Sequence, residues 1–595
     1  MRVADYIFKF LADKGVRHVF LVTGGGAMFL NDALGKEKRI RYVCNLHEQA
    51  CAMAAEGYAR VRGIPGVVSV TTGPGGTNAL TGIVGAWLDS VPMLILSGQV
   101  KTSTTLSACP ELKLRQLGDQ ELNIVDVVSP ITKYAKMITD PAEIAAELNK
   151  AWHLCQTGRP GPVWLDIPLN VQSALMPETA EVLPEMGSFP EPEESLVDEV
   201  VRRLKKAVRP VILAGGGVRN GGMAEKFARF VQKWNIPVLT GISGIDLIPS
   251  DHRLFFGRPG ILGERCANFI MQNSDLLLVI GCRMGIRQIG YAFGSVAPGA
   301  YKIMVDIDEG ELNKPTFQAD LKIRTDAGKF LSVLLQKLPD LPEKETWFSY
   351  CKELKERFPV ILKEHRERTD YVSSYVFPEI LSRNCPDDTV IVTGNGCAYT
   401  STFQALPVKD GMRVFANQGC ASMGYGLPAA IGAAFAAGKR CVCCITGDGS
   451  IQMNLQELQT VVSYGLPLKI FVYNNDGYLS IKLTQNAFFR GAKMGSDPES
   501  GVRLPDLEKI AAAYTIPFCR LCTNKEAEEK LPEIFSCSGA VLVEVMTDPL
   551  EVLGPKASSK QLPDGTIVSA PLEDLAPFLN REEFEKWMSI SKEGF

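Results

Sequence analysis

A chain of 595 residues is too long for one hydrophobic core and, at ~150 residues per domain, divides into three or four units. Its formal charge of -4 excludes broad nucleic-acid or anionic-membrane binding, so neither kind of partner is expected. An anionic ligand has to be held locally instead, by backbone N–H groups, a metal ion or a few arginines.

The opening segment, MRVADYIFKFLADKGV, is amphipathic and interrupted by Asp5, Lys9, Asp13 and Lys14. It has neither the apolar stretch of a signal peptide nor a span of ~20 apolar residues, and a cytoplasmic location is expected. Short apolar runs then alternate with helical patterns: VFLV (19–22), VVSV (67–70), MLIL (93–96) and VWLDI (163–167) come first. PVILAGG (210–216), DLLLVIG (275–281) and KIMVDID (302–308) follow. The last group is TVIVTG (389–394), VCCITG (442–447), LKIFVYN (468–474) and AVLVEV (540–545). Apolar strands followed by a Gly turn and a helix predict an α/β fold of three doubly wound parallel-sheet domains. The predicted domains span 1–175, 190–345 and 365–550, with a C-terminal tail at 551–595. The acidic, Pro-rich stretch 178–194 reads as a linker, and a charge-mixed helical segment at 343–368 separates the second domain from the third. The first and third blocks repeat strand, Gly turn and helix in similar order, as two related domains would. In CVCCITGDG, period-2 alternation sends Cys441 and Cys443 to one sheet face and Cys444 to the other. The sixteen cysteines lack zinc-site spacing and are expected as apolar fillers in a reducing compartment.

The strongest chemical signal is GDGS (447–450) at the end of one strand, with NNDGY (474–478) at the end of the next. Asp448 and Asn475 therefore sit at strand C-termini, where open α/β sheets bind ligands. One carboxylate and one amide oxygen suit Mg²⁺, which completes its octahedron with phosphate oxygens and water. Gly447 and Gly449 let the backbone approach a diphosphate, beside the N-terminus of the following helix. A second signal is NLHEQACAMAAEGYAR (45–60), in which Glu48 opens a helix lined with Ala52, Ala55 and Ala59. By itself, a Glu in a first turn is usually a dipole-favoured surface residue.

GDG followed by NN resembles the fingerprint of thiamine-diphosphate (ThDP) enzymes. The resemblance implies that Asp448, the Asn475 side chain and the Gly477 carbonyl bind Mg²⁺. VTGNGCA (392–398) and GCASMGYGLPAAIGAAFA (419–436) look like the rest of that family's cofactor domain. By the same match Asn395, Gly396 and Cys397, with Gly447, Gly449 and Ser450, contact the diphosphate, and Met423 props the cofactor into a bent conformation. HEQ…EGYAR resembles the segment carrying the family's activating glutamate. Glu48 would then hydrogen-bond the aminopyrimidine and promote loss of the thiazolium C2 proton. TTGPGGTN (71–78) resembles the family's TSGPGATN, and Thr72, Gly73 and Asn78 would line the pyrimidine pocket. In such enzymes the glutamate reaches a cofactor held by the other subunit. A homodimer is thus the smallest active unit implied, and pairing of dimers into a tetramer stays open.

Along ~550 residues the chain is similar to the acetolactate (acetohydroxyacid) synthase branch. LSGQV (96–100), SPITKY (129–134) and RPGPVWLDIP (159–168) match its motifs. LAGGGV (213–218), IGCRMGIR (280–287) and VDIDEGEL (305–312) look like its FAD segments. FAD in a non-redox role would be held by Arg159, Gly215, Gly216, Thr240, Arg283, Asp306 and Asp326, although related domains stay empty or take another nucleotide. Substrate-facing positions depart from the pattern. GDQE (118–121) stands where the synthases read AFQE, so Asp119 replaces a phenylalanine while Gln120 remains. The acidic pair after the FAD arginine becomes Gly285 and Ile286, with Arg287 kept, and the tail shares nothing with the synthases' end.

The expected activity is decarboxylation of a 2-oxoacid, pyruvate, with ligation of the acyl unit to a polar carbonyl acceptor such as a keto-sugar nucleotide. The alternatives are acetolactate synthase proper and a flavin-dependent pyruvate oxidase. A catalytically silent nucleotide-binding relative has no need of Glu48, Asp448 and Asn475 together. An NAD dehydrogenase would rest on GGG (215–217), without GxGxxG spacing.

Overall fold

The computed structural model describes residues 1–176, 189 and 191–588. Most of the predicted linker (178–194) lies outside the described residues. The described chain builds three all-parallel sheets. In spatial order the first runs Arg41–Cys44, His18–Leu21, Gly66–Val70, Met93–Gln99, Pro162–Pro168 and Tyr134–Met137. The third runs Arg413–Phe415, Val390–Thr393, Val442–Gly447, Lys469–Asn474, Val541–Met546 and Phe518–Leu521. Numbered within each domain, both follow the same order, 2-1-3-4-6-5. The repeated pattern of the first and third blocks is therefore a shared topology. Between them lies a five-stranded sheet: Leu321–Arg324, Tyr301–Asp306, Leu276–Ile280, Pro210–Ala214 and Val238–Thr240.

The central strands are apolar throughout because helices cover both faces. Val442–Gly447 shows the division: Cys443 joins the core on one side, with Cys441 packed against it, and Cys444 joins the core on the other. The described residues 557–588 form a strap over the middle sheet. Leu572 and Trp587 enter its core, while Asn268 and Arg265 donate to the Leu572 and Leu575 carbonyls at 2.7 and 3.2 Å. No helix among the described residues is long and apolar enough to cross a membrane.

The first and third domains meet through two helices, Glu48–Arg62 and Gly426–Ala437. The first is capped by the His47 side chain, which accepts the Gln49 N–H at 3.0 Å, and ends at Gly63 with φ 74°. Its Ala-rich face lies flush on the Ala-rich second helix. A Cβ at Gly57 would stand 2.2 Å from the Ala429 carbonyl oxygen, and one at Gly432 1.7 Å from that of Ala54. Only hydrogen fits at either crossing. Gly432→Ala should cost about 1–3 kcal/mol by overpacking and lower the thermal midpoint. Gly35→Ala, on a helix with nothing within 4 Å, serves as the control and should not lower it. Equal midpoints for the two variants would contradict the flush seam.

Candidate functional site

Strands Val442–Gly447 and Lys469–Asn474 are hydrogen-bonded neighbours with Gly447 opposite Tyr473, so their C-terminal ends open side by side. Asp448 lies in that opening, held by three backbone donors. Its Oδ1 accepts from Gly449 N at 2.7 Å, and its Oδ2 from Gly477 N at 3.0 Å and Asn475 N at 3.2 Å. Burial pushes its carboxyl up to about 6, against those hydrogen bonds. Asn475 is buried, and its Oδ1 has no hydrogen-bond partner. Gly477 adopts φ 117°, and a Cβ there would stand 2.3 Å from the Ser496 carbonyl oxygen, so the turn requires glycine. A buried carboxylate, an orphaned amide oxygen and the turn carbonyl make a hard-oxygen set that fits a small divalent cation.

A cavity of about 480 Å³ lies over this cleft. Every predicted residue of the third domain lines it: Asn395, Gly396 and Cys397 on one wall, Met423 on another, then Gly447 to Ser450, Asn475 and Gly477. Asn395 donates to the Ala421 carbonyl at 2.8 Å, and Ser450 Oγ accepts from Gly424 N at 3.1 Å; both contacts fix the loop that carries Met423. The first domain anchors the same loop from behind. Asp89 accepts from Gln418 N and Gly419 N at 2.8 Å, and Asn417 donates to Glu56 at 3.2 Å. Glu56 is wholly buried, which pushes its carboxyl up to about 7, and Arg60 bonds both acids at 2.6 and 2.7 Å. Sequence patterns did not show that Leu262 and Arg287 also line the cavity, entering from the middle domain. Arg287 lies 5.5 Å from the centre of the Tyr399 ring.

Glu48 is the first residue of its helix and is 9% exposed. Asn78 donates to its Oε2 at 3.0 Å. Thr72 donates to the Gly98 carbonyl at 3.0 Å, and Gly73, at φ 61°, would place a Cβ 2.3 Å from the Gln120 carbonyl oxygen. Thr72, Gly73, Asn78 and Gln120 thus belong to the face that bears Glu48. Asp119 and Gln120 are exposed, on a loop tied down by Glu121, whose Oε2 accepts from Leu117 N and Gly118 N at 2.9 and 3.0 Å. None of these residues lines the 480 Å³ cavity, which takes no described residue from the first domain of its own chain.

A second cavity of about 290 Å³ lies at the C-terminal ends of the middle strands. Arg159, Gly216, Arg283, Asp306 and Asp326 line it. Gly215 stands just behind, where a Cβ would meet the Gly281 carbonyl oxygen at 2.3 Å. Thr240 is not among the lining residues: its side chain lies on the face of Val238, fully buried. The two arginines are already paired, Arg159 with Asp308 and Glu311 at 2.8 and 3.0 Å and Arg283 with Glu311 at 2.7 Å. Asp326 uses Oδ1 to cap its helix, accepting from Gly328 N and Lys329 N at 2.9 and 3.0 Å.

Three family models match this architecture. Residues 1–126 match the thiamine pyrophosphate enzyme N-terminal TPP binding domain, 197–334 the central domain and 394–545 the C-terminal TPP binding domain. They define a ThDP-dependent enzyme. Among whole-chain relatives, acetolactate synthase isozyme 1 large subunit of Escherichia coli is 32% identical over 553 residues, 93% of this chain and 95% of that one. The acetolactate synthase large subunit of Lactococcus lactis is 31% identical over 548 residues, covering 91% and 92%. The probable acetolactate synthase large subunit of Methanocaldococcus jannaschii is 34% identical over 575 residues, covering 93% of each chain. The chain belongs to the acetolactate synthase-like branch of the thiamine-pyrophosphate enzymes, and is a ThDP-dependent decarboxylase and carboligase.

Removing the buried carboxylate of Asp448 should weaken metal-dependent ThDP binding. Asp448→Asn is expected to lower Mg²⁺-dependent ThDP affinity by ~10–100-fold, read by isothermal titration. Wild-type affinity in the folded variant would contradict the assignment of the cleft.

Proposed function

We propose that this enzyme decarboxylates pyruvate and joins the remaining acyl unit to the carbonyl carbon of an acceptor. The bond to the donor carboxylate breaks and CO₂ leaves. A carbon–carbon bond forms to the acceptor, whose carbonyl oxygen takes up one proton. When bound, ThDP supplies the nucleophilic carbon and the electron sink for this exchange. Asp448, Asn475 Oδ1 and the Gly477 carbonyl would hold Mg²⁺. The backbone at Asn395 to Cys397 and at Gly449 and Ser450 would take the diphosphate. Met423, on its anchored loop, would fix the bend.

Glu48 of the partner subunit would hold and release the proton at the pyrimidine ring, oriented by the amide matching Asn78. The observation that carries this reading is the split itself. The cleft lacks an acid–base group from its own first domain, and Glu48 sits ready on a face that the cavity of its own chain does not use. Exposed apolar side chains flank both halves, Met28 and Leu46 beside the Glu48 face and Met453 and Ile481 beside the cavity, as a homodimer seam requires. Two such dimers can pair into a tetramer.

The middle cavity would hold FAD in a structural role. Its support is the tight glycine crossing at the strand ends, where a Cβ at Gly217 would meet Gly281 Cα at 2.6 Å, with Asp306 alongside for a ribose.

For the acceptor, the named activity of the relatives favours a second 2-oxoacid, and Arg287 in the cavity wall suits its carboxylate. The exposed carboxylate of Asp119 favours a second reading, a polar carbonyl such as a keto-sugar nucleotide. Incubation with ¹³C-pyruvate, ThDP, Mg²⁺ and both acceptor classes should give a labelled ligation product. O₂ uptake matching CO₂ release, with no ligation product, would turn the assignment to an oxidase. Glu48→Gln should slow CO₂ release by ~10²–10⁴-fold while the metal cleft still binds ThDP. A variant releasing CO₂ at the wild-type rate would remove Glu48 from the mechanism.

A further inference from the structure

Lys469 stands where a central strand wants an apolar side chain, and it is only 3% exposed. Strand alternation puts it on the face of Phe471 and Tyr473, at the end of the third sheet remote from the cofactor cleft. Its ammonium donates to the Cys537 and Gly539 carbonyls at 2.6 and 2.7 Å. No carboxylate pairs with it among the described residues, and the charges that act on it are those of three thiols, Cys441, Cys537 and Cys443. A buried cation without a counter-ion is costly, and an anionic sulfur beside it offsets that cost.

Two of those thiols are placed to react together. Cys443 is wholly buried and lies opposite Lys469 in the strand register. Cys441 is half-buried, just before the first strand residue Val442, and packs against the same core. Its thiol is hydrogen-bonded to the Cys443 thiol and to Thr389. Arg440 adjoins it, donating to the Asp388 and Gly411 carbonyls at 2.6 and 2.9 Å with the Asp388 carboxylate at 3.9 Å. The Cys443 contact and then the Lys469 ammonium hold the Cys441 thiol below the ordinary range, while burial drives Cys443 well above it. A half-exposed, electropositive setting is where a cysteine becomes a nucleophile; a sealed one leaves it inert.

We propose that Cys441 is an oxidation site: its thiolate reduces hydrogen peroxide, and Cys443 then closes the product into a disulfide. In the first step the Cys441 sulfur attacks a peroxide oxygen, an S–O bond forms and the O–O bond breaks. The departing hydroxide takes a proton from solvent and leaves as water. In the second step the Cys443 sulfur attacks Cys441, the S–S bond forms and the S–O bond breaks. The second hydroxide leaves as water with the Cys443 proton, so two thiols are oxidised and one peroxide is reduced. Two residues of extended chain span ~6.6 Å, at the upper end of the Cα separations a disulfide bridges, and Cys441 lies outside the strand proper. Asp448 follows the opposite end of the same strand, so this chemistry is separate from the cofactor cleft.

The test is a thiol map. Holoenzyme is exposed to an equivalent of hydrogen peroxide, the remaining thiols are alkylated, and peptides are read by mass spectrometry. Wild type should oxidise Cys441 before the more exposed Cys537. Cys444→Ala, which changes the thiol on the other sheet face, should still give an unalkylated peptide two hydrogens lighter. Cys443→Ser should lose that disulfide and leave a sulfenic acid on Cys441, captured by a cyclic 1,3-diketone. Lys469→Met should slow the oxidation about tenfold by lowering the thiolate fraction. The wild-type map needs no variant and stands even if Lys469→Met fails to fold. Oxidation of Cys537 ahead of Cys441, or a disulfide that survives Cys443→Ser, would overturn the proposal.

Discussion

The contact between helices Glu48–Arg62 and Gly426–Ala437 decides where everything else can be. Each helix carries chemistry at its start, Glu48 on one and the Met423 loop just ahead of the other. Their glycine and alanine faces touch backbone to backbone, leaving no room for a side chain at Gly57 or Gly432. This seam locks the first sheet to the third at a fixed angle. Hydrogen bonds from Asn454 to Gln49 at 3.1 Å and from Asn45 to Glu457 at 2.8 Å reinforce it. In that arrangement Glu48 does not line its own chain's cavity. On the proposed reading, a chain built this way presents half of one site on one face and half of another elsewhere, and two copies would complete both.

Electrostatics follows the same division of labour. The chain carries a small net negative charge, so attraction of anionic donors and diphosphates is local. Backbone donors crowd the ends of two strands around Asp448, and three of them hold its carboxylate. The middle domain contributes Arg287 to the cavity wall, free of any ion pair among the described residues. By contrast, Arg159 and Arg283 are committed to Asp308 and Glu311. The second cavity is therefore shaped by glycines and acids more than by free positive charge, which suits the hydroxyl and ring portions of a nucleotide. The buried Glu56–Arg60–Asp89 group has another use: it pins the loop bearing Met423 from the side away from the cavity.

Much of this was legible in the sequence because the informative features are local. The Asp448 cleft is spelled out within ~30 residues, at the ends of two continuous apolar strands, and the fold class follows from those strands. What escaped reading depends on tertiary neighbours. Edge strands such as Tyr134–Met137, Leu321–Arg324 and Phe518–Leu521 are short and half-exposed, so their apolar pattern is weak. Leu262 and Arg287 sit in loops of the middle domain, and nothing around them in sequence announces that they face a cleft more than a hundred residues away. Thr240 is fully buried at the end of its strand, and its Oγ1 has no hydrogen-bond partner among the described residues. Asp308 and Glu311 were in view within VDIDEGEL, but their pairing with the arginines needed three dimensions.

The central claim is that one active centre needs Glu48 from one chain and the Asp448 cleft from another. Subunit mixing tests it most directly. Glu48→Gln and Asp448→Asn are each prepared as inactive proteins, dissociated, mixed in equal amounts and reassociated. Every hybrid dimer then holds one site with both defects and one with neither. Random pairing makes half the dimers hybrid, and activity should return to about a quarter of wild type, by the symmetry of a two-fold dimer. If Glu48 and Asp448 worked within a single chain, every site in the mixture would carry a defect. Activity that stays at the level of the separate variants, with hybrids shown to form, would contradict the account.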